Sequence, residues 1–240
     1  MVGGPIHEVS DAASAIFEQQ WQVYRKMVDN NYLCHREVYA LLHDVLIRDA
    51  PQPFRFLDLA CGDAGETVKA LRGTRVAHYA GIDLSSQALA LARAATAELG
   101  CDVELTLRDF AEAVRDWREP VDVAWIGQSL HHFQASGKLM LMRDIRRLLN
   151  VQGLLLIYEP TSRDDEGRDA WLGRWERHFV PKWTAFEPDE AAAMAAHVRA
   201  ADLPETHSHW LALGREAGFS DARVLFTDPL DLFRMYCFRA

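Results

Sequence analysis

The sequence predicts an α/β protein built on a mostly parallel sheet with helices on both faces. From Phe54 onward, short apolar runs alternate with stretches of helical periodicity. The runs are almost continuously apolar, as strands covered on both faces are. The chain also closes on two short strand patterns flanking Asp228-Pro-Leu-Asp, a turn signal that makes an antiparallel hairpin and so reverses the last strand.

The elements follow in order. Residues 11–48 read as helices, because Ile16, Trp21, Tyr24, Val28, then Tyr32, Val38, Leu41, Leu42 and Val45 recur at spacings of three and four. Asp29-Asn30-Asn31 is the turn between them. Strands are expected at 54–59, 78–82, 103–107, 121–126 and 154–158, with helices at 66–71, 86–99 and 137–149. After Pro160 the alternation breaks. A polar stretch with Trp171, Trp175, Trp183 and Trp210 follows, helical near 163–179, 188–201 and 206–217, and Gly218 closes its last helix. Strands at 222–227 and 233–238 complete a seven-stranded sheet.

Composition excludes several classes. With 240 residues, 49% hydrophobic and 25% charged, the chain is globular rather than disordered and can bury a core without staples. Its 4 cysteines are scattered, with no C-x-x-C pair and no zinc-ligand spacing, so neither a disulfide framework nor a metal is expected and a reducing cytoplasm is. No apolar run approaches the ~20 residues of a membrane span, and no export signal is visible at the start. A net charge of −9 with dispersed basic residues speaks against nucleic acid and anionic membranes, which favours a small-molecule or protein partner; a monomer or homodimer is expected.

The most informative segment is Phe56-Leu-Asp-Leu-Ala-Cys-Gly-Asp-Ala-Gly65. Small residues between a strand and a helix let the backbone pass close to a nucleotide-type ligand. There is no G-x-G-x-x-G, and Asp58 sits inside the strand, where a carboxylate repels a pyrophosphate and attracts a cation. These features separate the loop from a dinucleotide fingerprint and count against a nucleotide-dependent oxidoreductase. Asp83 ends the second strand 25 positions after Asp58, near the interval at which an acid meets ribose hydroxyls. Its other role would be a helix cap, which Ser85 or Ser86 can supply instead. Asp109 can accept from an exocyclic amine while Phe110 packs beside a flat ring.

These residues resemble class I S-adenosylmethionine-dependent methyltransferases. The likeness runs from Phe56 to the C-terminus through the glycine-containing loop, Asp83, Asp109-Phe110, Asp122-Val-Ala-Trp-Ile with His131-His132-Phe133, Gly153-Leu-Leu-Leu-Ile-Tyr-Glu-Pro160 and Glu216-Ala-Gly-Phe219. It implies a Rossmann-like sheet, with residues 1–50 a helical cap and 51–240 a methyltransferase domain interrupted by a helical insertion at 161–217, the whole one compact unit. The implied cofactor is S-adenosylmethionine, leaving as S-adenosylhomocysteine. Asp58, Ala60, Cys61 and Gly62 would hold its methionine portion, Asp83 with Leu84 the ribose and Asp109 with Phe110 the adenine, with Gln128 completing the set. Ala60 and Ala64 depart from the usual G-x-G-x-G, which leaves open whether 64 or 65 makes the closest approach.

Ligands on such sheets lie at the C-terminal strand ends, so Gln128, His131, His132, Glu159 and the insertion are expected to line the acceptor side. A base is needed when the nucleophile must lose a proton, and His132 is the first candidate, His131 the second. Tyr24, Tyr32, His35, Arg36 and Tyr39 from the cap, with Trp171, Trp175, His178 and Trp183 from the insertion, would supply aromatic walls and a cation for a carboxylate. The expected reaction is methyl transfer to O or N of a small molecule. Segment 187–219 is also similar to the carboxy-S-adenosylmethionine synthase group, but Trp210 stands where that group's basic residue is expected. A catalytically silent cofactor-binding scaffold is the remaining alternative.

Overall fold

The computed structural model describes residues 23–240. Ile16 and Trp21 of the anticipated first helix lie outside the described residues. A first helix, α1, is described over residues 23–29 and ends in a turn at 30–33. Helix α2 (His35–Arg48) turns Val38, Leu42, Val45 and Leu46 inward, the three- and four-residue spacing that buries one face.

The chain then alternates β1 (Phe54–Leu59), α3 (Gly65–Leu71), β2 (Val76–Asp83), α4 (Ser86–Thr96), β3 (Asp102–Leu107), α5 (Phe110–Asp116), β4 (Val121–Gly127), a 3-10 turn at Leu130–His132, α6 (Ala135–Leu148) and β5 (Leu149–Ser162). The insertion holds α7 (Arg168–Lys182), α8 (Pro188–Ala201), β6 (Glu205–Thr206) and α9 (His207–Glu216), and the chain ends on β7 (Asp221–Thr227) and β8 (Phe233–Arg239).

The sheet runs β3-β2-β1-β4-β5-β8-β7, parallel throughout except at β8, which lies antiparallel between β5 and β7. Asp228 fixes the closing turn: its Oδ1 accepts from the amides of Leu232 and Phe233, both at 2.6 Å, and its Oδ2 from Leu230 at 2.8 Å. One apolar layer packs α2, α3 and α7 on one face of the sheet, and a second packs α5, α6 and α9 on the other.

Three features go beyond the sequence reading. Helix α5 was not anticipated, because its seven residues carry barely two turns of periodicity. Strand β5 runs past the apolar 154–158 core through Glu159, Thr161 and Ser162, which are polar yet buried. The two-residue β6 pairs with Thr161 and Ser162, giving an eighth strand too short to show any pattern. Lys138, buried on α6, donates to the Leu203 carbonyl at 2.5 Å and to Glu205 Oε1 at 2.6 Å, which ties this segment to the sheet. No helix among the described residues is long and apolar enough to cross a membrane.

Candidate active site

A cavity of about 290 Å³ opens at the C-terminal ends of β1 and β4, the neighbours at which the strand order reverses. Its floor is Asp58, Ala60, Cys61 and Gly62. The backbone there is left-handed at Ala60 (φ 57°), Gly62 (φ 54°) and Ala64 (φ 56°), and again at Gln128 (φ 59°) across the cavity. For residues with a side chain this costs about 1–2 kcal/mol each, a concentration of strain that marks functional loops. A Cβ on Gly62 would meet no protein atom within 4 Å, so that backbone faces open space. Gly65 and the buried Ala64 do not line this cavity; Ala64 caps α3 and the Gly65 amide donates to Asp63 Oδ1 at 3.1 Å. Of this loop, residues 60–62 line the cavity.

Asp58 is buried and accepts from the Tyr79 hydroxyl at 2.8 Å. Burial pushes its carboxyl up to about 7, against the lowering effect of the Tyr79 and Thr67 hydrogen bonds. An arriving cation would restore its charge. Asp83 accepts the Gly62 amide on Oδ2 and the Ser85 amide on Oδ1, both at 2.8 Å, and thereby holds the loop of β1 against the end of β2. Ser85, not Asp83, caps α4 through the Ala88 amide at 3.1 Å. Asp109 caps α5 through the Glu112 amide at 3.0 Å, and Phe110 packs edge-on against Phe133. The Leu84 side chain is 69% exposed. Asp83, Leu84, Asp109 and Phe110 lie outside the cavity wall.

The opposite wall is organised by Glu159, which is fully buried. Its Oε1 accepts from the amides of Ser129 (3.1 Å) and Leu130 (2.9 Å), its Oε2 from the amide of His131 (3.2 Å), and Oε2 stands 2.6 Å from His131 Nδ1. Every approach to this carboxylate is thus taken by the 129–131 turn. Glu159 was expected to touch the acceptor; it does not line the cavity but fixes the residue that does.

His131 is buried yet lines the cavity, and its Nε2 lies 3.5 Å from Asp202 Oδ1. Burial works against a proton on this ring, but Glu159, with Asp202 behind it, outweighs that and the pKa is raised. His132 is exposed, and burial of part of its ring followed by the neighbouring His131 lowers its pKa. Its Nδ1 is 3.4 Å from the Ala201 carbonyl, and its ring centroid is 4.1 Å from that of His131 and 5.5 Å from that of His197. Asp202 Oδ1 is buried without a hydrogen-bond partner among the described residues, and burial raises its pKa. Ligand atoms of His131, His132 and Asp202 lie within 4.8 Å of one another, the set among the described residues that could hold a metal ion.

Tyr24, His35, Tyr39, Trp125, Trp175 and Trp183 supply the aromatic walls. Burial lowers the His35 pKa to about 4, so this ring is neutral. Tyr32 sits behind the wall, stacked on Trp183 at 5.0 Å, its hydroxyl accepting the Ala185 amide. Arg36 points away: its guanidinium donates to the Asp29 carbonyl at 2.8 Å, and it lines a separate surface groove. The reason is its helix position, one residue beyond the cavity-facing His35, which turns it to solvent. Trp210 is buried in the core under Lys138 and does not line the cavity. Trp171 is core as well.

Sequence reasoning missed Asp202, His197, Met27, Met194 and Trp125, all on the cavity wall. Asp202 carries no motif; it follows α8 and reaches the site because Lys138 and β6 anchor the chain beyond it. Trp125 had a signal, since its register partner on β1 is Asp58.

Residues 56–153 match the family model described as a methyltransferase domain. Among solved structures, an O-methyltransferase family protein from Burkholderia thailandensis is 18% identical, with 89% of this chain and 59% of that chain covered at a TM-score of 0.62. Magnesium protoporphyrin IX methyltransferase from Synechocystis PCC 6803, with bound S-adenosylhomocysteine, is 13% identical, with 95% of each chain covered at a TM-score of 0.61. A methyltransferase of calicheamicin biosynthesis, also in its S-adenosylhomocysteine-bound form, is 14% identical, with 95% of this chain and 58% of that chain covered at a TM-score of 0.61. The chain thus spans little more than half of the first and third of these. At such identities the likeness is one of fold. No curated protein sequence matches the chain.

Proposed function

We propose, starting from a chain that carries a methyltransferase domain over residues 56–153 on the class I S-adenosylmethionine-dependent fold, that the protein methylates an oxygen of a small-molecule acceptor held in the cavity. One observation carries the choice of oxygen: the buried Glu159–His131 pair, at 2.6 Å, aims Nε2 at the cavity and makes a base, which a hydroxyl nucleophile needs and a neutral amine does not.

The residues present fit the cofactor. Asp58 and the open backbone at 60–62 suit its cationic methionine end, and Asp83, already anchored by two amides, keeps lone pairs for ribose hydroxyls. Asp109 and Phe110 remain the proposed adenine contacts, with Leu84 beside the ribose and Gln128 at the methionine end. When bound, S-adenosylmethionine supplies a sulfonium methyl group open to direct displacement. His131 Nε2 takes the acceptor's proton, and the imidazolium that forms rests between Glu159 and Asp202. His132, with its lowered pKa and longer contacts, serves as a neutral neighbour. The aromatic walls exclude water and orient the acceptor.

No lysine or arginine lines the cavity among the described residues, which disfavours a carboxylated cofactor and so the carboxy-S-adenosylmethionine synthase reading. We place the enzyme in a reducing cytoplasm on the strength of its free thiols, with the helical cap and the insertion closing over one methyltransferase unit.

Calorimetry tests the cofactor. S-adenosylmethionine and S-adenosylhomocysteine bind at 1:1 and NAD does not; tight NAD binding with no response to either sulfur compound would overturn the assignment. Asp83→Ala weakens S-adenosylhomocysteine binding about 10–100-fold, by loss of charge-assisted hydrogen bonds and release of Gly62. An unchanged affinity removes Asp83 from the site. Turnover survives treatment with EDTA. Loss of turnover that a divalent ion restores would make His131, His132 and Asp202 metal ligands instead.

A further inference from the structure

We propose that the acceptor is a single-ring compound without an anionic group, carrying two neighbouring hydrogen-bond donors, one presented to His131 Nε2 and the other to Asp202. The inference rests on the methyl-transfer reading and names its substrate class.

Size sets the first limit. The cavity of about 290 Å³ lies at the lower end of small-molecule sites, and its Asp58–Gly62 end must also hold the donor's methionine portion. Beside His131 the wall is formed by aromatic and methionine side chains, and one ring is the occupant proposed there. Trp175 and Trp183, at right angles with centroids 6.2 Å apart, present flat and edge surfaces to it, while Met27 and Met194 supply deformable apolar contacts.

Charge sets the second. The ionisable groups lining the cavity are the carboxylates of Asp58 and Asp202 and the imidazoles of His35, His131, His132 and His197, together with Tyr24 and Tyr39 and the Cys61 thiol. Glu159 lies directly behind His131. A carboxylate or phosphate on the acceptor would enter a desolvated site next to Asp202 with no lysine or arginine among the described residues to receive it. A neutral or cationic ring meets no such penalty.

The orphaned Asp202 oxygen sets the third. Asp202 is 6% exposed, lines the cavity, and its Oδ1 has no hydrogen-bond partner among the described residues. Such an atom is costly unless a ligand completes it. It stands 3.5 Å from His131 Nε2, too far and too poorly aligned to be satisfied by that ring, yet a spacing that neighbouring substituents on one ring can span. The donor at Nε2 is the methylated oxygen. The donor at Asp202 fixes which oxygen that is.

The test is binding to S-adenosylhomocysteine-loaded protein, with catechol, phenol, 2-methoxyphenol and 3,4-dihydroxybenzoate as probes. Catechol binds at least about tenfold tighter than phenol or 2-methoxyphenol, and tighter than the anionic 3,4-dihydroxybenzoate. Asp202→Ala brings catechol and phenol within about threefold of each other, and Asp202→Asn, which keeps the shape, narrows the gap in the same direction. Equal binding of catechol and phenol, tighter binding of 3,4-dihydroxybenzoate, or a preference that survives in both folded variants overturns the proposal. Turnover separates it from the reading beneath it. Catechol that binds with this preference but is not methylated when S-adenosylmethionine is supplied leaves the acceptor class standing and removes methyl transfer. A methylated product from another molecule, with no catechol binding, does the reverse.

Discussion

His131→Ala lowers kcat by about 10²–10⁴-fold while S-adenosylhomocysteine affinity stays within about twofold, because the ring is the proposed base and the Asp58–Gly62 floor, where the donor is proposed to sit, is untouched. The pH profile carries the same signature. Glu159 and Asp202 raise the His131 pKa, so the acid limb of kcat lies above the ordinary histidine value of about 6.5, and activity falls as the pH drops through it. Stability moves oppositely. A raised histidine contributes stability that is fully present below its unfolded pKa and lost as pH rises through its folded pKa. The wild-type protein therefore gains activity and loses part of its His131-linked stability over one pH window, and the His131→Ala variant shows neither change. A variant that retains wild-type kcat and the same acid limb would transfer the base role elsewhere, with His132 the nearest candidate.

Glu159→Ala both destabilises the fold and disables the site. The substitution leaves the amides of Ser129, Leu130 and His131 and the Nδ1 of His131 without their partner in the interior, a loss of about 3–5 kcal/mol. For a chain of this length that lowers Tm by about 10 °C, read by calorimetry. Glu159→Gln separates the two effects. Its one oxygen can still accept from the Ser129 and Leu130 amides, so it is less destabilising than Glu159→Ala, but its NH2 faces the His131 amide and it lacks the charge that supports the His131 proton. Its acid limb shifts to lower pH, and kcat drops about tenfold or more. A limb that stays in place in Glu159→Gln would show that the titrating group is not His131.

The strand–helix alternation was legible because the central parallel strands β1, β4 and β5 carry apolar runs: β1 and α8 were located to the residue, and the closing hairpin nearly so. Helix α5 and strand β6 were not, since neither is long enough to have a period. The loop after β1 and its neighbour Asp83 could also be read locally, as Asp58, the 60–62 backbone and Asp83 are joined by neighbouring strands in parallel register. The acceptor end depends on contacts between distant segments. Glu159 and His131 are 28 positions apart, and nothing in the sequence shows which of two adjacent histidines turns inward. The turn that Glu159 folds around itself decides this, placing His131 inside and His132 out. Asp202 comes from farther still, held by a two-residue strand and a buried lysine. Arg36 does not reach the cavity for the converse reason, since a count of basic residues in a helix does not say which face meets the sheet, and Tyr32 sits in the turn before α2, behind the wall.

The most direct test supplies deuterium-labelled S-adenosylmethionine to wild-type protein and to His131→Ala in a small-molecule metabolite extract, followed by mass spectrometry. The wild-type protein is expected to yield a product carrying the labelled methyl group on oxygen, and His131→Ala, with the cofactor equally well bound, to yield almost none. No labelled product from a wild-type protein that binds the cofactor, or equal yields from the two proteins, would contradict the account.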